Sequence, residues 1–479
     1  MRYLNLMAML FSVGTACAGT LVEKHSYITP NVLSEACMPV PDDDVLSVDG
    51  RTLSMSNASE AELTDFMRRV ADIKQISDVR KIESQKYPEK YVMKFTHPLD
   101  YKHPEKGYFT QRIFVGHVGF DRPTVVVTEG YGGEREMNPR SEEEISQLLN
   151  ANMVFVEYRY FQESMPEPCN WDYLTVESSL KDLHEVVTAL KQLYTRKWLS
   201  TGISKGGQTC MFYRAYFPDD VDVSVPYVAP LNKALVDGRH ESFLTAKVGN
   251  RMEREAVRDY QIEVLKRRAS MEPMLSAYCK EKNFVFNEGV SISEVLDMCV
   301  LEYSYALWQW GQDVHTIPDL KSSDEVIFKH LVEVSDPSYF RPDPYFLSFF
   351  VQAARELGYY GYDTQSLKPW LRISEKNAKN YLHRMMLPAE LDTIKFNGDL
   401  YKHTVKFLKK NDPKMIYIYG ENDPWSSSGV LTWLDFSKKQ NMKLYVDPNG
   451  SHRARINTLP ATQRNECIRL LKQWMETDN

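Results

Sequence analysis

From about residue 91, continuous apolar runs alternate with segments of helical periodicity. Residues 124–128 and 153–158 are β-branched and apolar runs of the kind that parallel sheets bury on both faces, and 198–202 is predicted as a further strand. A short helix is predicted over 142–149. A crossover helix is predicted over 174–193, because apolar residues recur there at helical spacing: Val176, Leu180, Leu183, Val187, Leu190 and Leu193. This alternation predicts an α/β protein with a parallel sheet.

Residues from about 233 to 410 interrupt the alternation. They favour helices, with few β-branched runs and many aromatic residues. A chain of 479 residues exceeds one simple core, since single cores stop growing near about 250 to 300 residues. We therefore predict an α/β core built from residues 19–232 and 411–479, with a large, mainly helical cap over 233–410.

The composition narrows the class of protein. The 58 Lys and Arg residues are outnumbered by 65 Asp and Glu residues, which gives a formal charge of −7, so a nucleic-acid-binding surface is not expected. No apolar run beyond the N-terminus approaches the roughly 18 residues that span a bilayer. These features predict a globular protein without a transmembrane span, and they leave its oligomeric state open.

The first residues have the pattern of an export signal. Arg2 gives a positive start, residues 4–13 form a short apolar stretch, and Ala16-Cys17-Ala18 matches an A-x-A cleavage site, so residues 1–18 are predicted as a signal peptide. The alternative is a lipoprotein that carries its lipid on Cys17, although Gly14 stands where such signals usually have an aliphatic residue. Both interpretations predict an exported protein, secreted or periplasmic.

Six cysteines remain once Cys17 is removed, and an oxidising compartment would permit disulfides. Six cysteines allow many connectivities, so no pair is predicted. The sequence contains no C-x-x-C pair and no histidine-rich cluster. We therefore expect no metal and no cofactor.

The junction after the strand at 198–202 carries the candidate chemistry. Gly202-Ile203-Ser204-Lys205-Gly206 matches G-x-S-x-G, in which a serine lies on a sharp turn between a strand and a helix. A chain of this length meets the pattern by chance about 0.1 times, and here the preceding strand and the following helix also fit. Ser204 is therefore the predicted nucleophile, and the Lys205 amide at the helix start is a predicted oxyanion donor.

The partners of a serine nucleophile follow it along the chain in hydrolases of this kind, the acid first and the histidine second. Asp423 lies just past a predicted strand at 415–419. The next strand, at 443–446, leads into a loop that carries His452, the one histidine after Asp423. We predict His452 as the base and Asp423 as the acid that orients it. Asp447 is the rival acid, but it is better explained as the start of an Asp-Pro turn.

A second oxyanion donor is expected from the loop after an earlier strand. Residues 129–133, Glu-Gly-Tyr-Gly-Gly, directly follow the strand at 124–128, and their glycines allow backbone amides to approach a ligand. The donor is predicted to be the amide of Tyr131 or Gly132, which the sequence does not separate. Glu129 is either a structural carboxylate that accepts turn amides or a substrate contact.

Several stretches together resemble the proline-specific serine exopeptidases that include prolyl carboxypeptidase and dipeptidyl peptidase II. They are residues 95–112, 129–133, 157–166, 174–177 and 202–207. The Ser-Lys-Gly-Gly form at 204–207 departs from the Ser-Tyr-Gly-Gly of that group and is more similar to the secreted bacterial prolyl tripeptidyl aminopeptidases. Residues 352–360 resemble the Gln-x-x-x-Glu-x-Gly segment in the lid of those families. The resemblance implies an α/β-hydrolase with a helical cap that acts on proline-containing peptides.

A proline substrate, as the resemblance implies, would require a pocket for a flat apolar ring. Aromatic residues of the cap could line it, and we select Trp308, Phe349 and Tyr359, although aromatic residues at helical spacing more often belong to a core. An exopeptidase also needs a charged group for the chain end. Glu356 and then Glu129 are the candidates for a substrate ammonium, and Arg355 would suit a carboxylate.

Three hypotheses follow from these residues. The first is a secreted serine tripeptidyl aminopeptidase, which binds peptides with a free N-terminus and releases short N-terminal peptides, preferably after proline, through an acyl-enzyme on Ser204. The second is an esterase or lipase on the same fold. The third is an exported binding protein with an inactive hydrolase fold, but no member of the predicted triad is missing from the sequence.

Overall fold

The structure is a computed structural model of the chain and describes residues 53–54 and 63–476. The predicted signal peptide at 1–18, Cys17 and the cysteine at position 37 lie outside the described residues. Five other cysteines lie within them, and none of these five is in a disulfide. No helix of the described part is long and apolar enough to cross a bilayer.

The strands form a ten-stranded mixed sheet with the order β1-β2-β3-β4-β6-β5-β7-β8-β11-β12 and a separate two-stranded pair, β9 and β10. Their bounds are β1 (Leu53–Ser54), β2 (Ile76–Ile82), β3 (Glu89–Pro98), β4 (Tyr108–His117), β5 (Thr124–Thr128), β6 (Asn152–Val156), β7 (Trp198–Ile203), β8 (Val223–Tyr227), β9 (Val236–Asp237), β10 (Tyr359–Tyr360), β11 (Met415–Gly420) and β12 (Met442–Asp447). From β6 to β12 neighbouring strands of the large sheet are parallel, whereas β1 to β4 are antiparallel. All parallel strands therefore present their carboxyl ends at one edge.

The α-helices cover both faces of this sheet and build the cap. Their bounds are α1 (Asp65–Val70), α2 (Glu144–Leu149), α3 (Val176–Leu190), α4 (Lys205–Tyr216), α5 (Arg239–Ala246), α6 (Arg251–Lys266), α7 (Arg268–Glu281), α8 (Ile292–Gln309), α9 (Asp324–Val334), α10 (Leu347–Gln352), α11 (Glu375–Lys379), α12 (Asp399–Lys410) and α13 (Ala461–Met475). Helices α3, α4 and α12 pack together, and α4 lies against β7 and β8.

Successive strand residues point to opposite faces of the sheet, and both faces are buried. Val126 belongs to the core that includes Met211 of α4, whereas the adjacent Val125 belongs to the core that includes Leu471 of α13. All five residues of β5 and of β6 are buried. This burial on two faces explains why these strands are continuous apolar runs rather than alternating ones.

Three predicted elements have somewhat different limits in the structure. The strand expected over 153–158 is β6, which ends at Val156. The helix expected over 142–149 begins at residue 144, because the Glu143 side chain accepts the first free amides and acts as its N-cap. The helix expected over 174–193 begins at residue 176, because the Thr175 hydroxyl caps it, and it ends at Leu190.

The cap helices lie between β8 and α12. Helices α6 and α8 begin with reciprocal capping boxes, Asn250 with Glu253 and Ser291 with Glu294, which fix where these helices start. The last helix of the predicted cap range, α12, packs against α4 of the core. Strand β10 pairs with β9, so the segment that carries Tyr359 is held against the chain that leaves the central sheet.

Candidate active site

Ser204 lies on a tight turn between β7 and α4 with φ 57° and ψ −116°, a conformation that non-glycine residues rarely adopt. Its amide donates to the Tyr227 carbonyl of the neighbouring strand at 3.0 Å. A Cβ atom at Gly202 would lie 2.3 Å from the Gly206 carbonyl oxygen, so the turn can close only over a glycine. The G-x-S-x-G spacing thus reflects a backbone that holds the hydroxyl at the carboxyl edge of the sheet.

Asp423 and His452 meet at this same edge. Asp423 follows β11 and is fully buried, and its Oδ2 lies 2.7 Å from His452 Nδ1. The other carboxylate oxygen, Oδ1, accepts the Trp425 amide at 3.0 Å, which fixes the orientation of the carboxylate. His452 follows β12 and lines one cavity together with Ser204. The structure therefore brings together the three side chains that the sequence analysis selected as a triad.

The two predicted sources of oxyanion donors also adjoin this cavity. Lys205 is the first residue of α4, and Tyr131 lies in the loop after β5; both line the cavity, whereas Gly132 does not. The Lys205 side chain is buried, donates from Nζ to the Gly130 carbonyl at 2.5 Å and lies 3.3 Å above the Tyr158 ring. Its ammonium thus ties the start of α4 to the loop that carries Tyr131, a link that the sequence analysis did not predict.

Aromatic side chains from the core and the cap form much of the cavity wall: Tyr131, Trp310, Phe349, Tyr359 and Trp425. Phe349 and Tyr359 were predicted to line a substrate pocket, and they lie here. Trp308, also selected, lines a separate cavity within the cap, because it lies two residues earlier on α8 and faces a different direction. The cavity at Ser204 has a volume of about 20 Å³, close to the space that one water molecule needs.

Gly358 fixes the position of Tyr359 in this wall. Its φ is +68°, and a Cβ atom there would lie 2.2 Å from the Ala234 carbonyl oxygen. The glycine of the Gln-x-x-x-Glu-x-Gly segment is therefore required by a close approach of two backbones. Its consequence is that β10 can pair with β9 and hold Tyr359 at the cavity.

The two glutamates predicted to bind a chain end do not line the cavity of Ser204. Glu356 Oε1 accepts the Val176 amide at 2.7 Å and so caps α3, and burial raises the pKa of Glu356 to about 7. Glu129 is paired with Arg135 at 3.1 Å, and burial raises its pKa. Glu129 lines a larger cavity of about 690 Å³, whose wall also includes Gly202 and Arg455.

Asn232 and Trp310 are among the cavity residues that were not selected from the sequence as candidates for binding. Asn232 follows β8 at the carboxyl edge of the sheet, and this position after a strand was an available signal. Trp310 comes directly after α8 and contacts the His452 ring edge-on, with 6.1 Å between the ring centroids. Among residues 63–476, no group of three His, Cys, Asp or Glu side chains could hold a metal ion.

The sheet order and a serine on a turn between strand and helix define the molecule as an α/β-hydrolase. The model of the PS-10 peptidase S37 family matches residues 59–477, which is most of the chain. The chain therefore belongs to the PS-10 peptidase S37 family and is a serine peptidase.

Known proteins similar to this chain include one curated relative and several solved structures. The prolyl tri/tetrapeptidyl aminopeptidase of Streptomyces mobaraensis is 28% identical over 436 residues, which cover 88% of each chain. The structure of a proline iminopeptidase from Mycobacterium smegmatis is 13% identical with a TM-score of 0.36, covering 80% of this chain and 98% of its own. A bromoperoxidase from Bacillus anthracis is 14% identical with a TM-score of 0.36, covering 79% and 99%.

Proposed function

We propose that this serine peptidase is an exported exopeptidase that releases short N-terminal peptides, preferably after proline, through an acyl-enzyme on Ser204. The observation that carries the proposal is the meeting of Ser204 and the Asp423–His452 pair at one aromatic cavity. The name of the Streptomyces relative, a prolyl tri/tetrapeptidyl aminopeptidase, supports the substrate class. Export rests on the signal pattern of residues 1–18, with Cys17 as the alternative lipid site.

In the proposed mechanism His452 takes the proton of the Ser204 hydroxyl as the serine oxygen attacks the scissile carbonyl carbon. Asp423 holds the proton on His452 Nδ1 and stabilises the imidazolium that forms. The amides of Lys205 and Tyr131 stabilise the negative charge on the carbonyl oxygen, with Gly132 as the alternative in the same loop. The imidazolium then protonates the leaving amine, and water releases the acyl peptide in a second, equivalent step.

The proposed pocket for proline is the aromatic wall that includes Phe349 and Tyr359, since a flat apolar ring packs well against aromatic faces. The cavity of about 20 Å³ holds no more than about one water molecule, so these side chains must move apart when the ring enters. For the substrate ammonium we propose Glu129. Glu129 lines a cavity of about 690 Å³, which is large enough for a peptide, whereas the Glu356 carboxylate already accepts the first amide of α3. An ammonium beside Glu129 would share this carboxylate with Arg135.

The test is mass spectrometry of fragments that the purified protein releases from a peptide library with free and acetylated N-termini. The proposal expects fragments that end in proline, loss of cleavage on acetylation, and no turnover or fluorophosphonate labelling of Ser204→Ala. In Glu129→Gln, acetylation of the peptide should reduce cleavage less than it does in the wild type. Faster cleavage of p-nitrophenyl esters than of any peptide would favour an esterase, and labelling that persists in Ser204→Ala would reject Ser204 as the nucleophile.

A further inference from the structure

Two residues that line the cavity at Ser204 each carry a buried polar atom without a hydrogen-bond partner in the described part of the chain. One is the side-chain oxygen of Asn232, a residue that is 3% exposed. The other is the indole nitrogen of Trp310, which is 7% exposed. Proteins rarely leave such atoms unpaired, because burial without a partner is costly. An acceptor and a donor beside one nucleophile are complementary to the two polar groups of a peptide backbone.

The orientation of the Asn232 amide is fixed by its other contacts. Its NH₂ group donates to the carbonyl oxygens of Leu357 at 3.3 Å and Gly358 at 3.1 Å. Two carbonyl acceptors can be satisfied only by the nitrogen, so the side-chain oxygen is the atom that stays without a partner. The residue that anchors the Tyr359 segment therefore also presents an acceptor.

Trp310 is held in an equally defined position. The carbonyl of the preceding residue, Gln309, accepts the His452 amide at 2.9 Å, and the Trp310 ring stands at 89° to the His452 ring. The end of α8 is therefore attached to the loop that carries the proposed base. Trp310 lines the same cavity as Ser204, and its indole N–H is a donor without a partner in the described part of the chain.

The wall of this cavity also indicates which donor Asn232 would receive. Its residues within the described ranges include the cationic Lys205 and no carboxylate, so a substrate ammonium would lie there without a counter-charge. An uncharged amide N–H has no such cost. Proline has no N–H of its own, so the nearest amide N–H of an acyl peptide that ends in proline belongs to the residue before it.

We propose that Asn232 and Trp310 form a peptide-binding pair next to Ser204. The Asn232 side-chain oxygen accepts the N–H of the residue before the proline, and the Trp310 indole N–H donates to a carbonyl oxygen of the same acyl peptide. This inference rests on the proposed function and adds to it the two side chains that hold the peptide backbone.

The test combines an enzyme variant with a substrate variant in a double-mutant-type cycle, with the full-length protein. The first substrate is a tripeptide that ends in proline and carries a coumarin leaving group. The second is its depsipeptide, in which an ester oxygen replaces the N–H of the residue before the proline. Coumarin release reports the cut after proline in both. The wild type should lose about tenfold in kcat/KM with the depsipeptide, the factor of one ordinary hydrogen bond. Asn232→Ala should lose a similar factor in kcat/KM with the amide substrate. Replacing the amide by the ester should lower kcat/KM of this variant no further.

Trp310→Phe tests the second half of the pair, because it keeps an aromatic ring and removes the N–H. Trp433→Phe is the matched control: the Trp433 indole nitrogen is also buried without a partner within residues 63–476, but Trp433 does not line the cavity. We expect kcat/KM to fall about tenfold in Trp310→Phe and to stay at the wild-type value in Trp433→Phe. Thermal denaturation of each variant checks that it is folded.

Two results would overturn the pair while leaving the proposed function intact. One is a depsipeptide penalty in Asn232→Ala equal to that of the wild type, which would give Asn232 only its structural contacts to residues 357 and 358. The other is wild-type kinetics in Trp310→Phe. A wild-type enzyme that releases no coumarin from the proline tripeptide would instead reject the proposed function, and the pair with it.

Discussion

Replacing Asp423 by Asn changes the hydrogen bond that orients His452 while it keeps the packing around the two side chains. In the wild type, Asp423 Oδ1 accepts the Trp425 amide at 3.0 Å and Oδ2 faces His452 Nδ1 at 2.7 Å. In Asp423→Asn the remaining oxygen stays with the Trp425 amide, because an NH₂ group cannot accept a hydrogen bond. The NH₂ group must then face His452 Nδ1. His452 is left with its proton on Nε2, the nitrogen that should take the proton from Ser204.

The expected effect is large on catalysis and small on stability. A wrong histidine tautomer in a serine-histidine-aspartate triad lowers kcat by about 10⁴, which corresponds to about 5.5 kcal/mol in the activation free energy. The side chain keeps almost the same volume in a fully buried site, so the packing around Trp425 should be retained. We therefore expect a folded protein that binds substrate and turns it over very slowly.

The assay is coumarin release from a proline tripeptide, with kcat and KM measured separately. Asp447→Asn is the matched control, because Asp447 ends β12, where the His452 loop begins, and accepts the Thr458 hydroxyl at 2.6 Å instead of contacting the histidine. It should retain nearly full activity. An Asp423→Asn enzyme within tenfold of the wild type, or an equal loss in Asp447→Asn, would refute the assigned role of Asp423.

Three further substitutions test other parts of the structure. Gly202→Ala should destabilise the protein by about 1 to 3 kcal/mol in urea denaturation, because its Cβ would overlap the backbone at Gly206; Gly238→Ala, where the nearest atom is 4.0 Å away, should not. Glu302 is fully buried, and burial raises its pKa to about 8. Its protonated form therefore stabilises the wild type below pH 4.5, and this contribution to the free energy of unfolding is lost as the pH rises towards 8. Glu302→Gln should lack that fall in stability. Glu356→Ala should lower stability by about 1 kcal/mol through loss of the α3 cap, whereas Glu356→Gln keeps an acceptor and should cost less.

Each of these expectations has a result that contradicts it. Equal stability of Gly202→Ala and Gly238→Ala would mean that the turn at Ser204 can open without cost. A pH dependence of unfolding in Glu302→Gln identical to the wild type would show that Glu302 does not titrate in this range. A rise in KM for free but not for acetylated peptides in Glu356→Gln would return Glu356 to the role of ammonium anchor.

The sequence predicts the α/β-hydrolase fold and the candidate triad because both depend on order along the chain. Parallel strands end at one edge of a sheet, so residues that directly follow such strands converge there wherever they lie in the sequence. Ser204, Asp423 and His452 each follow a strand that the sequence predicts. Their meeting requires only that these strands belong to one parallel sheet.

The positions of the proposed substrate-binding residues depend on contacts between segments that no local sequence pattern relates. Trp308 and Trp310 are two residues apart, yet they line different cavities, because α8 ends between them at Gln309. Trp308 was selected as one of the aromatic residues of the cap, and no local pattern distinguishes it from Trp310. Glu356 was selected for its motif, but its carboxylate caps α3, which begins 180 residues earlier in the chain.

Lys205 illustrates the same limit within the catalytic motif itself. From its chemical character alone, a lysine after the nucleophile is expected to be exposed, since a lone buried ammonium is costly. Here the cost is offset by the Gly130 carbonyl and by the face of the Tyr158 ring. Neither group is close to Lys205 in the sequence, so only the folded chain reveals that the departure from Ser-Tyr-Gly-Gly joins the nucleophile turn to the loop of Tyr131. Because that loop supplies the second proposed oxyanion donor, this residue difference affects the geometry of the site rather than its surface.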